Sequence, residues 1–199
     1  MKGYKFIFCL LFFIATGNLC AQGAPNYYAL ASAEMNNKNY VKAEEFYMAA
    51  VAAEPKNWNI VSKLGFCLFK QKRFNDADSL FRICIKNDTT ASSVYGYKGW
   101  NHVALKQDSM VVVCFKKFIF IERNKDVNKI IAYRNVGQAY QRMLKTQGLL
   151  AWQIDDMVFH LEQIEHIDPS NLEVEDIKNF IEILKIKRPA NQVGKWIML

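Results

Sequence analysis

Residues 65–84 read GFCLFKQKRFNDADSLFRIC, and the spacing inside this stretch decides the fold. Gly65 lies among apolar residues at helical spacing, Arg73-Phe74 marks a turn, and Ala77, Phe81 and Cys84 follow at 12, 16 and 19 residues from Gly65. The same order stands 34 residues earlier, at Ala31, Ala43, Tyr47 and Ala50, and 34 residues later, at Gly99, Val111, Phe115 and Phe118. Asn39-Tyr40 and Gln107-Asp108 fall at the matching turns. Small residues on one helix permit close approach of a second, and the aromatics of that second helix fill the space beside them. A helix pair of this kind cannot hide its apolar face alone, so neighbours must stack and the ends must be capped.

A 34-residue period with this internal pattern resembles the tetratricopeptide repeat (TPR), a pair of antiparallel helices. The first repeat covers about 24–57 and carries Tyr27, Leu30, Ala31, Ala43, Tyr47, Ala50 and Pro55. The second, about 58–91, carries Val61, Leu64, Gly65, Leu68, Ala77, Phe81 and Cys84, with Thr89 where proline is usual. The third, about 92–125, keeps Tyr95, Gly99 and Phe115 but departs at Lys98, where leucine is expected, and at Arg123, where proline is expected. A fourth, about 130–170, opens with Tyr133, Val136, Gly137 and Tyr140, and Met157, Leu161, Ile164 and Pro169 complete it. Its second helix comes about eight residues late, which predicts a longer turn over Leu144–Asp155. Over 171–188, Val174, Ile177, Ile181 and Leu184 share one face of a capping helix, with Glu173, Glu175 and Asp176 near its start and Arg188-Pro189 at its end. The resemblance implies an all-α fold: a right-handed α-solenoid of about four TPR hairpins over 24–170 plus that C-terminal capping helix.

In such repeats the first helix of each pair lines the concave surface. The resemblance therefore implies a partner-binding trough of Tyr28, Ser32 and Met35, then Ser62, Phe66 and Phe69, then Gly96, Trp100 and Val103, then Arg134, Gln138 and Gln141. Lys63, Lys70 and Arg142 come at its edges. Tyr28, Phe66, Phe69, Trp100, Arg134, Gln138 and Arg142 are the strongest candidates, because aromatic and arginine side chains carry most interface energy. Packing between neighbouring repeats is the competing role for Phe66, Phe69 and Trp100. The lysine and asparagine clamp by which some TPRs hold a C-terminal carboxylate is missing: Tyr28, Ser32, Lys63, Ser93 and Tyr97 occupy the matching positions.

Residues 1–21 read as a secretory signal. Lys2 and Lys5 precede the apolar run Phe6–Ala15, and Leu19-Cys20-Ala21 leads to a cleavage point before Gln22. The run is too short to span a bilayer, which takes roughly 20 residues. A retained anchor, or lipidation at Cys20, fits the pattern less well. Export predicts a periplasmic or outer-membrane-associated protein. Losing Lys2 and Lys5 lowers the formal charge from +7 to +5. The remaining basic residues are interleaved with acids, so nucleic acid is not an expected partner, and a peripheral contact with an anionic membrane surface is compatible with the charge.

No residue pattern points to catalysis. Cys67, Cys84 and Cys114 fit no zinc or redox spacing and occupy small apolar helical positions, so buried thiols are expected, with a disulfide as the alternative. His102 stands where the family has an aromatic, and a packed ring is expected. His160 and His166 are six apart and face different sides of a helix, while Glu162 and His166 read as a solvated pair. Glu44-Glu45 and Asp155-Asp156 read as solvated faces. No nucleophile-elbow, dinucleotide-binding or phosphate-loop pattern is present. No cofactor, metal or catalytic residue is predicted, and the expected function is a non-catalytic scaffold or adaptor for a protein or peptide. A chaperone-like holder of an exported client and an obligate non-catalytic subunit of an envelope enzyme or secretion machine are the alternatives. Residues 189–199 form a C-terminal tail whose end, Trp196-Ile197-Met198-Leu199, is too apolar to leave in water. It is expected to fold back onto the capping helix or else to dock on a partner or a second copy.

Overall fold

A computed structural model describes residues 26–122 and 127–198, and the signal-like segment, Cys9, Cys20 and Arg123 lie outside them. The chain forms two compact units that meet in sequence between Arg73 and Phe74, within the second repeat. The first unit holds α1 (Tyr27–Asn36), α2 (Tyr40–Ala53) and α3 (Trp58–Lys70). The second holds α4 (Phe74–Asn87), α5 (Ser92–Ala104), α6 (Asp108–Ile121), α7 (Val127–Thr146), α8 (Ala151–Ile167) and α9 (Val174–Lys187). Within each unit consecutive helices pack on one another. Among the described residues there is no strand, only one isolated antiparallel bridge, and no helix is long and apolar enough to cross a membrane.

Burial follows the 34-residue period. Ala43, Ala77 and Val111 are wholly enclosed, Tyr47, Phe81 and Phe115 are enclosed four residues further along their helices, and Ala31, Gly65 and Gly99 are buried on the preceding helices. Gly99 shows why that position stays small: a Cβ there would come within 2.8 Å of the Phe115 ring. Gly137 repeats the arrangement against Leu161, whose Cγ would lie 2.9 Å from an added Cβ.

The turns share a device. Lys38, Lys72 and Lys106, again 34 apart, have φ of 60°, 63° and 55°. In each turn the lysine N–H donates back across the helix end, and the next N–H reaches the carbonyl five residues behind it, as in Asn39 to Glu34, Arg73 to Leu68 and Gln107 to His102. This is a Schellman end with lysine in the left-handed position where glycine is usual. Gly148, at φ 73°, closes α7 differently: its own N–H reaches the Met143 carbonyl five residues behind it, and the next N–H goes to Trp196.

The fourth hairpin corrects one expectation. Its second helix is late because α7 continues to Thr146, not because the turn is long: α8 begins at Ala151, and only 147–150 intervene. Nothing between Lys129 and Thr146 is a proline or glycine except Gly137, which sits within a good helical run, so propagation costs little. Met157, Leu161 and Ile164 are buried on α8 as expected, and Val174, Ile181 and Leu184 on α9. Glu175 and Asp176 occupy the first turn of α9 and Lys185 and Lys187 the last, both favourable to the helix dipole.

The C-terminal tail does fold back, but onto the α7–α8 turn rather than the capping helix. Leu149 and Trp196 exchange N–H···O bonds of 2.9 Å, and Gln192 Nε2 donates to the Leu149 carbonyl at 2.8 Å. Trp196 and Met198 lie against the core of the second unit. The turn presents unpaired backbone groups, and an extended segment satisfies them where a helix surface could not.

Candidate functional site

In the first unit Tyr28 on α1 stands edge-on to the buried Tyr47, with centroids 6.1 Å apart, and Ser32 Oγ lies 3.4 Å from the Tyr47 hydroxyl. Phe66 and Phe69 on α3 stack on each other at 5.9 Å, and the Lys70 ammonium sits 5.1 Å and 5.8 Å from their centroids. All three aromatics are half-buried. A cation over paired rings makes a coherent surface feature, and α3 alone supplies it, since residues 66, 69 and 70 share one helical face. Ser62 does not join them. It is buried, and its hydroxyl donates to the Asn59 carbonyl at 2.8 Å, so the expectation that it lines a surface is corrected.

In the second unit Trp100 on α5 meets the Phe115 ring edge-on at 5.6 Å and still keeps 38% of its surface in solvent. Gln138 on α7 is exposed. The two arginines are already engaged: Arg134 Nε donates to Glu173 at 2.6 Å, and Arg142 grips Asp108 Oδ1 at 2.9 Å and 2.7 Å. Val103 packs against the core instead of facing out, and Gly96 lies against the Phe118 ring. Of the seven candidate residues, Tyr28 and Trp100 stand singly on α1 and α5 against buried rings, Phe66 and Phe69 form a group with Lys70 on α3, and α7 carries the exposed Gln138 and the ion-paired Arg134 and Arg142.

The titratable groups are structural. Cys67, Cys84 and Cys114 are free and buried, and burial pushes each thiol up to about 11. His102 is buried with Nδ1 2.7 Å from Gln107 Oε1, and burial lowers its pKa. Its neighbour Asp78 also takes Lys98 at 3.4 Å, which explains how a lysine is accommodated at a leucine position. His160 is likewise buried, with a lowered pKa for the same reason, and its Nδ1 lies 2.6 Å from the Asp156 carbonyl.

Two acidic residues expected to be solvated are not. Asp156 accepts from Lys116 at 2.8 Å through both oxygens and from the Tyr140 hydroxyl at 2.7 Å, joining α6, α7 and α8. Burial alone would raise its pKa, but these donors override it and hold the carboxyl below its ordinary value. Glu44 accepts from Arg73 at 2.7 Å and from Gln71 at 2.8 Å. Asp156 faces neighbouring helices and Glu44 faces the turn that follows α3, placements that no spacing argument supplies. Their partners Asp155 and Glu45 remain exposed. Among the described residues no group of three His, Cys, Asp or Glu side chains could hold a metal.

A surface absent from the sequence reading lies on the second helices of the third and fourth hairpins. Val113, Phe120, Trp152 and Phe159 are each more than half exposed, on α6 and α8, and flank the Lys116–Asp156 ion pair. Their helical spacing was visible in the sequence; their exposure was not, because apolar residues on second helices are normally core.

No protein-family model matches the sequence, and no curated protein matches it. Solved structures do. A crystal structure of MamA superposes with a TM-score of 0.64 at 18% identity, over 80% of this chain and 86% of that one. The first TPR of Spaghetti (RPAP3) bound to the HSP90 peptide SRMEEVD superposes at 0.54 and 16% identity, over 59% of this chain and 90% of that one. This is a tetratricopeptide-repeat fold. A MamA double mutant from RS-1 agrees, at 0.66 and 14% identity over 81% and 84% of the two chains. At these identities the TPR likeness fixes the all-α architecture of hairpins and leaves the ligand open.

Proposed function

We propose that this chain is a non-catalytic interaction scaffold that holds a protein or peptide partner, with Trp100 on the first helix of the third TPR hairpin as its anchor. One observation carries the reading: Trp100, fixed edge-on against Phe115, leaves more than a third of its surface in water. A large rigid aromatic held this way is the kind of anchor that dominates protein interfaces. The first unit has a surface feature of the same kind by itself, the stacked Phe66–Phe69 pair under Lys70. The solved RPAP3 repeat is bound to a peptide, which supports the reading.

The test is affinity capture from native envelope fractions with wild type and Trp100→Ala side by side. A bound partner should be lost from the variant, with affinity reduced about 30-fold or more for an anchor of this kind, and with helicity unchanged by circular dichroism. Equal recovery by both chains removes Trp100 from the site. The location is also a proposal, resting on the Lys2–Ala21 pattern: the intact mass of the exported chain should correspond to a start at Gln22. A start at Met1 would instead indicate a retained anchor.

The exposed residues of α6 and α8 favour a second reading, an obligate subunit of a larger envelope assembly. Gel filtration separates the two, since a scaffold purifies alone as a soluble monomer and an obligate subunit does not.

A further inference from the structure

On α4, residues Ser79, Arg82, Ile83 and Lys86 stand at i, i+3, i+4 and i+7 and share one face. With Ile85 and with Lys98 of α5 they line an open groove of about 540 Å³. Its charge is one-sided. Lys98 is answered by Asp78 at 3.4 Å, but among the described residues neither Arg82 nor Lys86 takes part in an ion pair. Arg82 and Lys86 are four apart on the helix and both exposed, a like-charged pair that weakens its own helix. Between them in sequence Ile83 leaves 45% of its surface in water. A solvated face does not need an isoleucine there, nor two cations without an acid beside them.

We propose that this groove docks an acidic peptide segment carrying an aliphatic side chain. The carboxylates answer Arg82 and Lys86, with bidentate geometry open to the guanidinium. The aliphatic side chain covers Ile83 and reaches the half-buried Ile85. The groove has no aromatic ring on which a nucleobase could stack, which separates it from a nucleic-acid surface. Its two isoleucines among three cations also differ from the broad apolar face with which a helix enters lipid. This surface uses none of the seven first-helix candidates, so it stands or falls apart from the proposed function.

The probe is a fluorescein-labelled nonapeptide of glutamates with one central leucine, titrated into the full chain by fluorescence anisotropy at low salt. Arg82→Glu/Lys86→Glu should weaken binding at least tenfold. Lys145→Glu/Lys187→Glu makes the same change in net charge on exposed helix ends, and should weaken it less than threefold. Circular dichroism and thermal melts of both variants establish that they are folded. Replacing the leucine of the probe by serine should cost a further several-fold, and 0.5 M salt should remove most of the affinity. Equal losses in the two charge variants would reduce the effect to overall charge and overturn the proposal. So would a probe indifferent to its leucine, or no binding at all. Binding to phosphatidylglycerol vesicles that depends on Arg82 and Lys86, without peptide binding, would assign the groove to a lipid surface instead.

Discussion

Lys106 holds a backbone conformation that L side chains adopt at a cost of about 1–2 kcal/mol. Its φ of 55° is needed because the turn from α5 to α6 closes with the Gln107 N–H on the His102 carbonyl. Glycine would relieve that strain while adding roughly 0.5–1 kcal/mol of unfolded-state entropy to be lost. Lys106→Gly should therefore stabilise the protein by up to about 1 kcal/mol in urea unfolding. A destabilised variant would mean that the lysine side chain itself holds the turn. The recurrence of Lys38, Lys72 and Lys106 at the repeat period was present in the sequence, yet lysine is no sign of a left-handed residue. Gly148 is such a sign, and it marks the one turn displaced from the 34-residue register. Other single residues were easier to read: Ala43, Ala77, Tyr47, Phe81 and Gly99 are enclosed because only their sizes fit, and size is what sequence states most directly.

Between elements, the Asp156 carboxylate is the joint of α6, α7 and α8. Neither its burial nor its partners follow from the adjacent pair Asp155-Asp156. The two differ by about 100° around the helix, and only the packing of three helices makes one of them internal. Asp156→Asn removes the charge that answers Lys116 and weakens the acceptor for Tyr140. It should cost about 1–3 kcal/mol, measured as a lower urea midpoint. The pH dependence has two separate windows. His102 and His160 have folded pKa values below the ordinary 6.5, so the unfolded chain takes up their protons first. Stability is then complete above pH 6.5 and falls as the pH drops from 6.5 through their folded values. The Asp156 pKa is lowered from 3.8, so its contribution persists above pH 3.8 and is lost as the pH falls through its folded value. His160→Gln should flatten the melting-temperature profile between pH 7 and 5 and leave the acid limb, whereas Asp156→Asn should flatten the acid limb. A profile unchanged in either variant would show that these groups do not titrate with folding.

At the scale of the molecule, the repeat period carried the helix order, and the candidate site was legible only in part. Sequence could name Trp100 and the Phe66–Phe69 pair as first-helix aromatics, but it could not show that Glu173 and Asp108 already engage Arg134 and Arg142. Those acids lie 39 and 34 residues from their arginines, and register between helices decides the pairing. The C-terminal segment is the clearest case of structure deciding what composition left open. Two of its apolar residues are absorbed by the second unit: Trp196 and Met198 lie on the core, and the Leu149–Trp196 bridge fixes the segment to the α7–α8 turn, while Ile197 keeps 44% of its surface in solvent. Deleting Lys195–Leu199 exposes part of that core. With Trp196 and Met198 only partly covered, the loss is about 2 kcal/mol, or a fall of about 4–8 °C in melting temperature for a chain of this size. Gly148→Val tests the same contact without shortening the chain. The added side chain would need a left-handed backbone at φ 73°, and its Cβ would lie 2.9 Å from both the Trp196 carbonyl oxygen and Ile197 Cγ1. If the segment braces the turn, both variants lose thermal stability while gel filtration still shows the wild-type association state. If melting is unchanged and association is lost, the segment belongs to an interface, and the hydrogen bonds to Leu149 are then a resting position that a partner displaces.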